Sequence, residues 1–375
     1  MRIGLFVLMA GRQAGGPETY EVELIRALAA IDRRNEYVVY CTTPAAIDAI
    51  GVTQQNVTYR VLGPRLRSIA VAVTLPALLV RDGIDFFHST FTPPPFFTKP
   101  LVFTMHCMSN FTHPEFYPPL VAWRLNQLMK VALQRAACVL CVSQNVRDDV
   151  HRQFGVGSER LSVAYNGVAT HFVGTPPDEA RRLVASRFGV DYPYLLFVGK
   201  LQARKNVIRL VHAYARFRRE TRSDAKLLLA GRKTATSDGI DEAIATLGLG
   251  DHVVQAGYFA PTDLPLLYSA ARQFVFPSLW EGFGIPVVEA MACGTPVVTS
   301  TVTSLPEIAG DAALLVDPTS VDEIADAMIR VETAPDLRQT LVRRGLERAR
   351  QFTWANCAQD TLSAYAALGE ELRCA

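Results

Sequence analysis

The sequence predicts an α/β protein of two doubly wound domains, and three observations predict it. The chain has 375 residues, more than the ~100–200 of a typical domain. Short apolar runs rich in β-branched and aromatic residues alternate with longer segments of helical period. That alternation builds parallel sheets covered on both faces. The rhythm breaks once, over residues 167–191, where Gly174, Pro176 and Pro177 precede a charged helix at 178–188, and then it resumes.

In the first half, strands are expected at 3–9, 37–41, 57–62, 84–88, 101–106 and 138–142. Helices are expected at 18–30, where Tyr20, Leu24, Ala27 and Leu28 share a face, and at 120–137 and 143–154. In the second half, strands at 194–199, 226–231, 252–257, 273–277 and 296–300 alternate with helices at 207–218, 239–247, 262–270 and 286–293. Helical segments at 320–331 and 334–350 follow, and Thr353 is placed to cap a last helix over 354–372. The expected domains are 1–175 and 176–353, with the terminal helix at 354–375.

Composition excludes several classes. Apolar residues make up 49% and charged residues 20%, which is globular rather than disordered. Lys and Arg total 38 against 36 acidic residues, a net charge of +2, so no nucleic-acid partner is expected. Seven scattered cysteines argue against a disulfide framework. Cys138 and Cys141 have metal-ligand spacing, but no second CxxC or HxxxH answers them, and they lie in a strand-like apolar run. The opening Met1-Arg2 and its short apolar run read as a buried first strand, not a signal peptide. The longest apolar stretch, 69–80, contains Pro76 and is too short to span a bilayer. A cytoplasmic protein is expected.

Three segments carry chemistry. Gly15-Gly16-Pro17-Glu18 joins the first strand to the first helix. Glycines let backbone N–H groups approach an anion, and a helix N-terminus favours negative charge. The plain alternative is a turn that needs glycine; the full GxGxxG fingerprint is absent. The matching turn of the second half, 199–206, starts at Gly199 and carries Lys200, Arg204 and Lys205. Clustered cations beside a glycine suit a diphosphate, and a solvated basic loop is the alternative. The densest segment is 277–296. A strand ends at Pro277, a glycine-rich loop carries Glu281, and Pro286 opens a helix in which Glu289 lies one turn along. This loop can present carboxylates and free N–H groups to one ligand. As structure alone, two glutamates near a helix start complement its dipole.

With these residues in place the chain resembles the retaining glycosyltransferases of family 4. Glu281 and Glu289 match that family's E-x7-E motif, and Glu281-Gly282-Phe283-Gly284 and 292–298 match its surroundings. Gly15-Gly16 with Tyr20, Val142-Ser143, Asn166-Gly167-Val168, Gly199-Lys200 through Lys205-Asn206, Ser304–Glu307 and 310–313 match as well. The likeness covers essentially the whole chain, and 277–296 is its most specific part.

The resemblance implies a GT-B fold: two Rossmann-like domains facing a central cleft, with the last helix crossing back to the N-terminal domain. It implies that Lys200 and Lys205 hold a donor diphosphate, that Glu281 contacts the transferred sugar, and that Glu289 accepts from the nucleotide ribose. Gly199, Phe283, Gly284 and Ile285 would line the donor from that domain, and Gly15 and Gly16 would face the same diphosphate from the other. The family has a histidine near the donor sugar, and His106 ends the expected strand 101–106. Many members follow it with Asp, where this chain has Cys107. The implied reaction retains anomeric configuration and needs no cofactor or metal; no D-x-D triplet occurs. His113–Pro118 resembles mannosyltransferases, and the similarity around His106 and over Ser304–Asp317 makes GDP-mannose the favoured donor.

The expected acceptor is a saccharide or lipid-linked saccharide, in cell-envelope polysaccharide synthesis. The aromatic and proline-rich loop at 86–97 suits a sugar platform, a lipid carrier or a rigid packed connection. Arg65, Arg67, Arg81, Arg124, Lys130 and Arg135 flank apolar stretches and suit either a peripheral membrane contact or a solvated face. A sugar-nucleotide epimerase, a non-catalytic nucleotide-sugar binding protein and a glycosidase are the alternative readings.

Overall fold

A computed structural model describes residues 1–64, 66, 69–92, 94–234 and 239–374. Arg65, Arg67 and, within the loop at 86–97, Pro93 lie outside the described residues. The chain divides into two units: Met1–Gly167 with Thr353–Ala375, and Val168–Phe352.

Unit 1 is built on seven parallel strands: β1 (Arg2–Val7), β2 (Glu36–Cys41), β3 (Val57–Val61), β4 (Phe86–Ser89), β5 (Leu101–Met105), β6 (Cys138–Cys141) and β7 (Leu161–Val163). Their order is β3-β2-β1-β4-β5-β6-β7, and every neighbouring pair is parallel. Central strands are apolar at nearly every position because both faces are covered; Ile3, Leu5, Phe6, Val7, Phe86 and Phe87 are all buried. The helices are α1 (Gly16–Ile31), α2 (Ala45–Ile50), α3 (Leu75–Arg81), the single turn α4 (Ser109–Thr112), α5 (Pro119–Arg135) and α6 (Gln144–Phe154). Ser143 caps α6, its Oγ accepting from Val146 N at 3.1 Å. The first strand stops at Val7 rather than residue 9. The N–H groups of Leu8, Met9 and Ala10 leave the sheet for the carboxylate of Glu21.

Unit 2 holds β8 (Tyr194–Val198), β9 (Lys226–Ala230), β10 (Val253–Gly257), β11 (Gln273–Phe276), β12 (Val297–Ser300) and β13 (Ala313–Val316), in the order β10-β9-β8-β11-β12-β13. All are parallel. Its helices are α7 (Pro177–Phe188), α8 (Val207–Thr221), α9 (Ile240–Thr246), α10 (Leu264–Ala270), α11 (Ile285–Ala292), α12 (Leu305–Ala309), α13 (Val321–Thr333) and α14 (Pro335–Ala349). The edge strand β13 was not among the expected strands. It is only four residues long, and two of them are half-buried, so it carries little strand signal.

The last helix, α15 (Trp354–Cys374), packs on α1 and reaches β6 and β7 of unit 1. Its buried face carries Trp354, Cys357, Ala358, Thr361, Tyr365 and Leu368. Thr353 caps it, Oγ1 accepting from Asn356 N at 3.1 Å. A Cβ on Gly167 would lie 2.2 Å from Trp354 N, so the start of α15 requires glycine there. Cys138 and Cys141 are buried and free in β6, as a strand reading requires. Among the described residues no helix is long and apolar enough to cross a membrane.

Each strand order reverses once, between β1 and β4 in unit 1 and between β8 and β11 in unit 2. Ligands of doubly wound sheets bind at the carboxyl ends of the strands flanking such a reversal.

Candidate active site

In unit 2, the turn after β8 and the loop after β11 meet at that reversal. Glu281 is buried, and its Oε1 accepts from Lys205 Nζ at 2.5 Å and pairs with Arg204 Nη1 at 2.9 Å. Burial alone would raise the pKa of this carboxyl, but Arg204 and then Lys205 outweigh it and hold it at about 2. Lys205 is itself buried, its ammonium 4.5 Å from the centre of the Phe276 ring. Oε2 of Glu281 takes no hydrogen bond from the described residues.

The surrounding loops are pinned. Asn206, at φ +61°, donates from Nδ2 to Pro277 O (3.0 Å) and Pro318 O (2.6 Å). Arg204 Nη1 donates to Trp280 O at 2.7 Å, and Leu279 N to Arg204 O at 2.8 Å. Glu281 N donates to Thr303 Oγ1 and Ser304 Oγ to Glu281 O. Thr303 is left-handed at φ +59°, a conformation a β-branched residue adopts only under constraint.

Glu289 lies on α11, buried, with Oε2 accepting from Tyr268 Oη at 2.9 Å. Burial raises its pKa to about 7, and the tyrosine hydrogen bond offsets only part of this. Oε1 of Glu289 takes no hydrogen bond from the described residues. The two motif glutamates therefore share a pattern: one oxygen anchored, the other unclaimed. Gly284 caps α11 at φ +99° and Ile285 is its first residue. Phe283 is buried edge-on against Phe352 at 5.4 Å. Gly199 sits at φ +148° and the would-be Cβ of Gly231 lies 1.8 Å from its carbonyl oxygen, so the two turns after β8 and β9 touch only because Gly231 is bare. Lys200 is exposed; the second cation on Glu281 is Arg204, a residue visible in the basic turn but not singled out.

In unit 1, His106 follows β5 half-buried. Its Nε2 lies 2.6 Å from the Thr90 carbonyl oxygen. A carbonyl only accepts, so Nε2 carries the proton and Nδ1 keeps its lone pair. Burial lowers the ring's pKa to about 4, the Thr90 hydrogen bond opposing it, so the imidazole is neutral. Tyr20 packs edge-on against it at 4.6 Å and Phe91 tilts at 5.7 Å.

Gly15 caps α1 at φ +80° and Gly16 opens it. The loop before them is closed by carboxylates that sequence reasoning missed. Glu21 accepts from Leu8 N, Met9 N and Ala10 N at 2.7–2.9 Å and from Thr90 Oγ1 at 2.9 Å. Glu18 accepts from Gly11 N, Arg12 N and Ala14 N at 2.6–3.1 Å. A charged residue one position from the apolar face of a helix beside a strand–helix turn was the available signal.

Family models match most of this chain: glycosyltransferase family 4 over residues 14–172 and glycosyl transferases group 1 over residues 181–348. The chain is 33% identical over 308 residues to O-antigen chain mannosyltransferase B of Escherichia coli, covering 82% of this chain and 78% of that one. The protein belongs to the family 4 glycosyltransferases. Another relative, the D-inositol 3-phosphate glycosyltransferase of Kribbella flavida, is 31% identical over 94% of this chain and 90% of its own. Among solved structures, a sucrose-phosphate synthase from Thermosynechococcus elongatus superposes with a TM-score of 0.82 over 99% of this glycosyltransferase and 100% of its own chain. At 24% identity that likeness speaks for the two-unit GT-B fold alone.

Proposed function

We propose that this glycosyltransferase moves mannose from GDP-mannose to a saccharide or lipid-linked saccharide acceptor in cell-envelope polysaccharide synthesis, with retention of configuration and no metal. The observation that carries the donor site is the pair Glu281 and Glu289, each with one oxygen held and one unclaimed beside two buried or half-buried cations. The unclaimed oxygen of Glu289 accepts from the ribose, and that of Glu281 accepts from a sugar hydroxyl. Arg204, Lys205 and Lys200 take the diphosphate, with the N–H groups at Phe283–Ile285 and the α11 N-terminus. Mannose is supported by the name of the Escherichia coli relative, a mannosyltransferase.

In the reaction the bond from the anomeric carbon to the diphosphate oxygen breaks. The acceptor oxygen bonds that carbon on the same face, and its proton passes to the departing diphosphate. Charge grows on the leaving group as the bond loosens, and fixed cations stabilise it without reorganisation. His106, neutral with a lone pair on Nδ1, accepts from a substrate hydroxyl.

The test is thermal stabilisation by GDP, UDP and ADP without metal, followed by transfer from the matching mannosyl donor with the product anomer read by NMR. A ligand at 100-fold its Kd stabilises by ~2.7 kcal/mol. A shift with GDP alone and an α-mannosyl product support the reading; a shift with another nucleotide, an inverted product, or activity that EDTA abolishes overturns the corresponding part.

The membrane contact rests on α5. Leu120 and Trp123 are 75% and 62% exposed, beside exposed Arg124, Lys130 and Arg135, and the helix holds no acidic residue. Such a face suits an anionic bilayer surface. Sedimentation with anionic but not zwitterionic vesicles supports this, and sedimentation with neither refutes it.

A further inference from the structure

Beneath His106, a chain of polar side chains runs through the core of unit 1 to the last helix. Tyr365 of α15 puts Oη 2.6 Å from His88 Nδ1. His88 Nε2 lies 2.6 Å from Thr104 Oγ1, and Thr104 Oγ1 lies 2.9 Å from Tyr20 Oη. Tyr20 then packs its ring edge-on against His106. Tyr365, His88 and Tyr20 are inaccessible to solvent and Thr104 is nearly so.

Apolar residues would fill this space at less cost, because every buried polar group must find a partner. His88 is neutral, burial and the nearby His106 both lowering its pKa, to about 3. A neutral imidazole has one N–H and one lone pair, so the chain has a direction. Either Tyr365 donates to Nδ1 and Nε2–H donates to Thr104, with the Thr104–Tyr20 bond free to run either way, or Tyr20 donates to Thr104, Thr104 to Nε2 and Nδ1–H to Tyr365. In both directions removing any one hydroxyl orphans a buried ring nitrogen or oxygen, and the disturbance ends on the ring against which His106 rests. The hydrogen bond of His106 goes to the carbonyl of Thr90, whose own hydroxyl is held by Glu21 and Phe6 O. That side is fixed independently of α15.

We propose that Tyr365 of the terminal helix is a positioning residue for His106, acting through His88, Thr104 and Tyr20. The helix that ends the chain thereby sets the placement of the histidine; this rests on the reading of His106 as a substrate contact.

Isosteric variants test it in the full-length protein. Tyr365→Phe and Thr104→Val each remove one hydroxyl, and Thr104→Ser keeps it. Tyr365→Phe and Thr104→Val are expected to lower kcat about tenfold, the scale of a modest misplacement of a reacting group, with donor KM unchanged. In both, the 15N and ring 1H signals of His106 should shift and broaden as the ring loses its fixed seat, with the Nε2–H held by the Thr90 carbonyl retained, while Thr104→Ser keeps the wild-type kcat and spectrum. Wild-type kcat and an unchanged His106 spectrum in Tyr365→Phe overturn the proposal, as does a Thr104→Ser as impaired as Thr104→Val. Should Thr104→Val not fold, Tyr365→Phe and Thr104→Ser decide alone. His106→Ala separates the two readings. Wild-type turnover there removes the substrate role and the proposal with it, whereas its loss alongside an active Tyr365→Phe removes the relay only.

Discussion

Unit 1 and unit 2 reverse their strand order at the same topological place, yet each uses its buried carboxylate there differently. Glu21 of unit 1 faces inward and accepts from three backbone amides and a threonine. Glu281 of unit 2 faces two long cations, with one oxygen unclaimed. A carboxylate satisfied by backbone amides holds a loop in shape. A carboxylate set against side-chain cations, with accepting capacity to spare, can exchange partners with an anionic ligand. The same fold thus makes a structural clasp in one unit and a charge-bearing site in the other.

The contrast is broken most directly at Lys205. Lys205→Ala should lower kcat by ~10²–10³, about 3–4 kcal/mol of transition-state stabilisation, with the circular dichroism spectrum unchanged. A folded variant within a few-fold of wild type would refute the charge-bearing role.

The two motif glutamates should respond oppositely to pH. Glu289 is raised from 4.5 to about 7, so its contribution to stability is fully present below about pH 4.5 and is lost as pH rises through about 7. At about 1.4 kcal/mol per pH unit this amounts to as much as ~3 kcal/mol. Urea unfolding of wild type and Glu289→Gln between about pH 5 and 8 should therefore give curves that diverge; parallel curves would sink the idea. Glu281 is lowered to about 2, so its contribution is present above about pH 4.5 and fades only as pH falls through about 2. Under the proposed ribose contact of the ionised Glu289, donor affinity should also rise through neutrality in wild type.

Glu21→Gln sharpens the other side. An amide NH2 would replace an oxygen that accepts from backbone donors, costing ~1–3 kcal/mol of stability. GDP binding should stay within about twofold of wild type. A lowered melting temperature with intact binding is expected; lost binding with intact stability would reverse the assignment.

The smallest effect is expected at His106. With its pKa near 4, kcat/KM should show no acid limb from this residue between about pH 5 and 8. An imidazole that titrates near neutrality by NMR would contradict the buried, neutral ring.

The sequence by itself determined the architecture and the E-x7-E segment. Apolar runs of strand length, helical periods between them and one break define two parallel sheets, because buried strands must be apolar on both faces. The cationic turn at 199–206 and the glycine-rich loop carrying Glu281 were also legible, since such chemistry is local. Tertiary structure decided the partnerships. Arg204, not Lys200, shares Glu281 with Lys205, because Asn206 turns the backbone left-handed and ties that loop to Pro277 and Pro318. Glu21 clasps the first loop and Tyr365 reaches His88 from 277 residues away. No periodicity or spacing encodes contacts between residues so distant along the chain. They exist only once the sheet has brought helix faces and strand ends together, and burial then forces each polar group to find the partner left within reach.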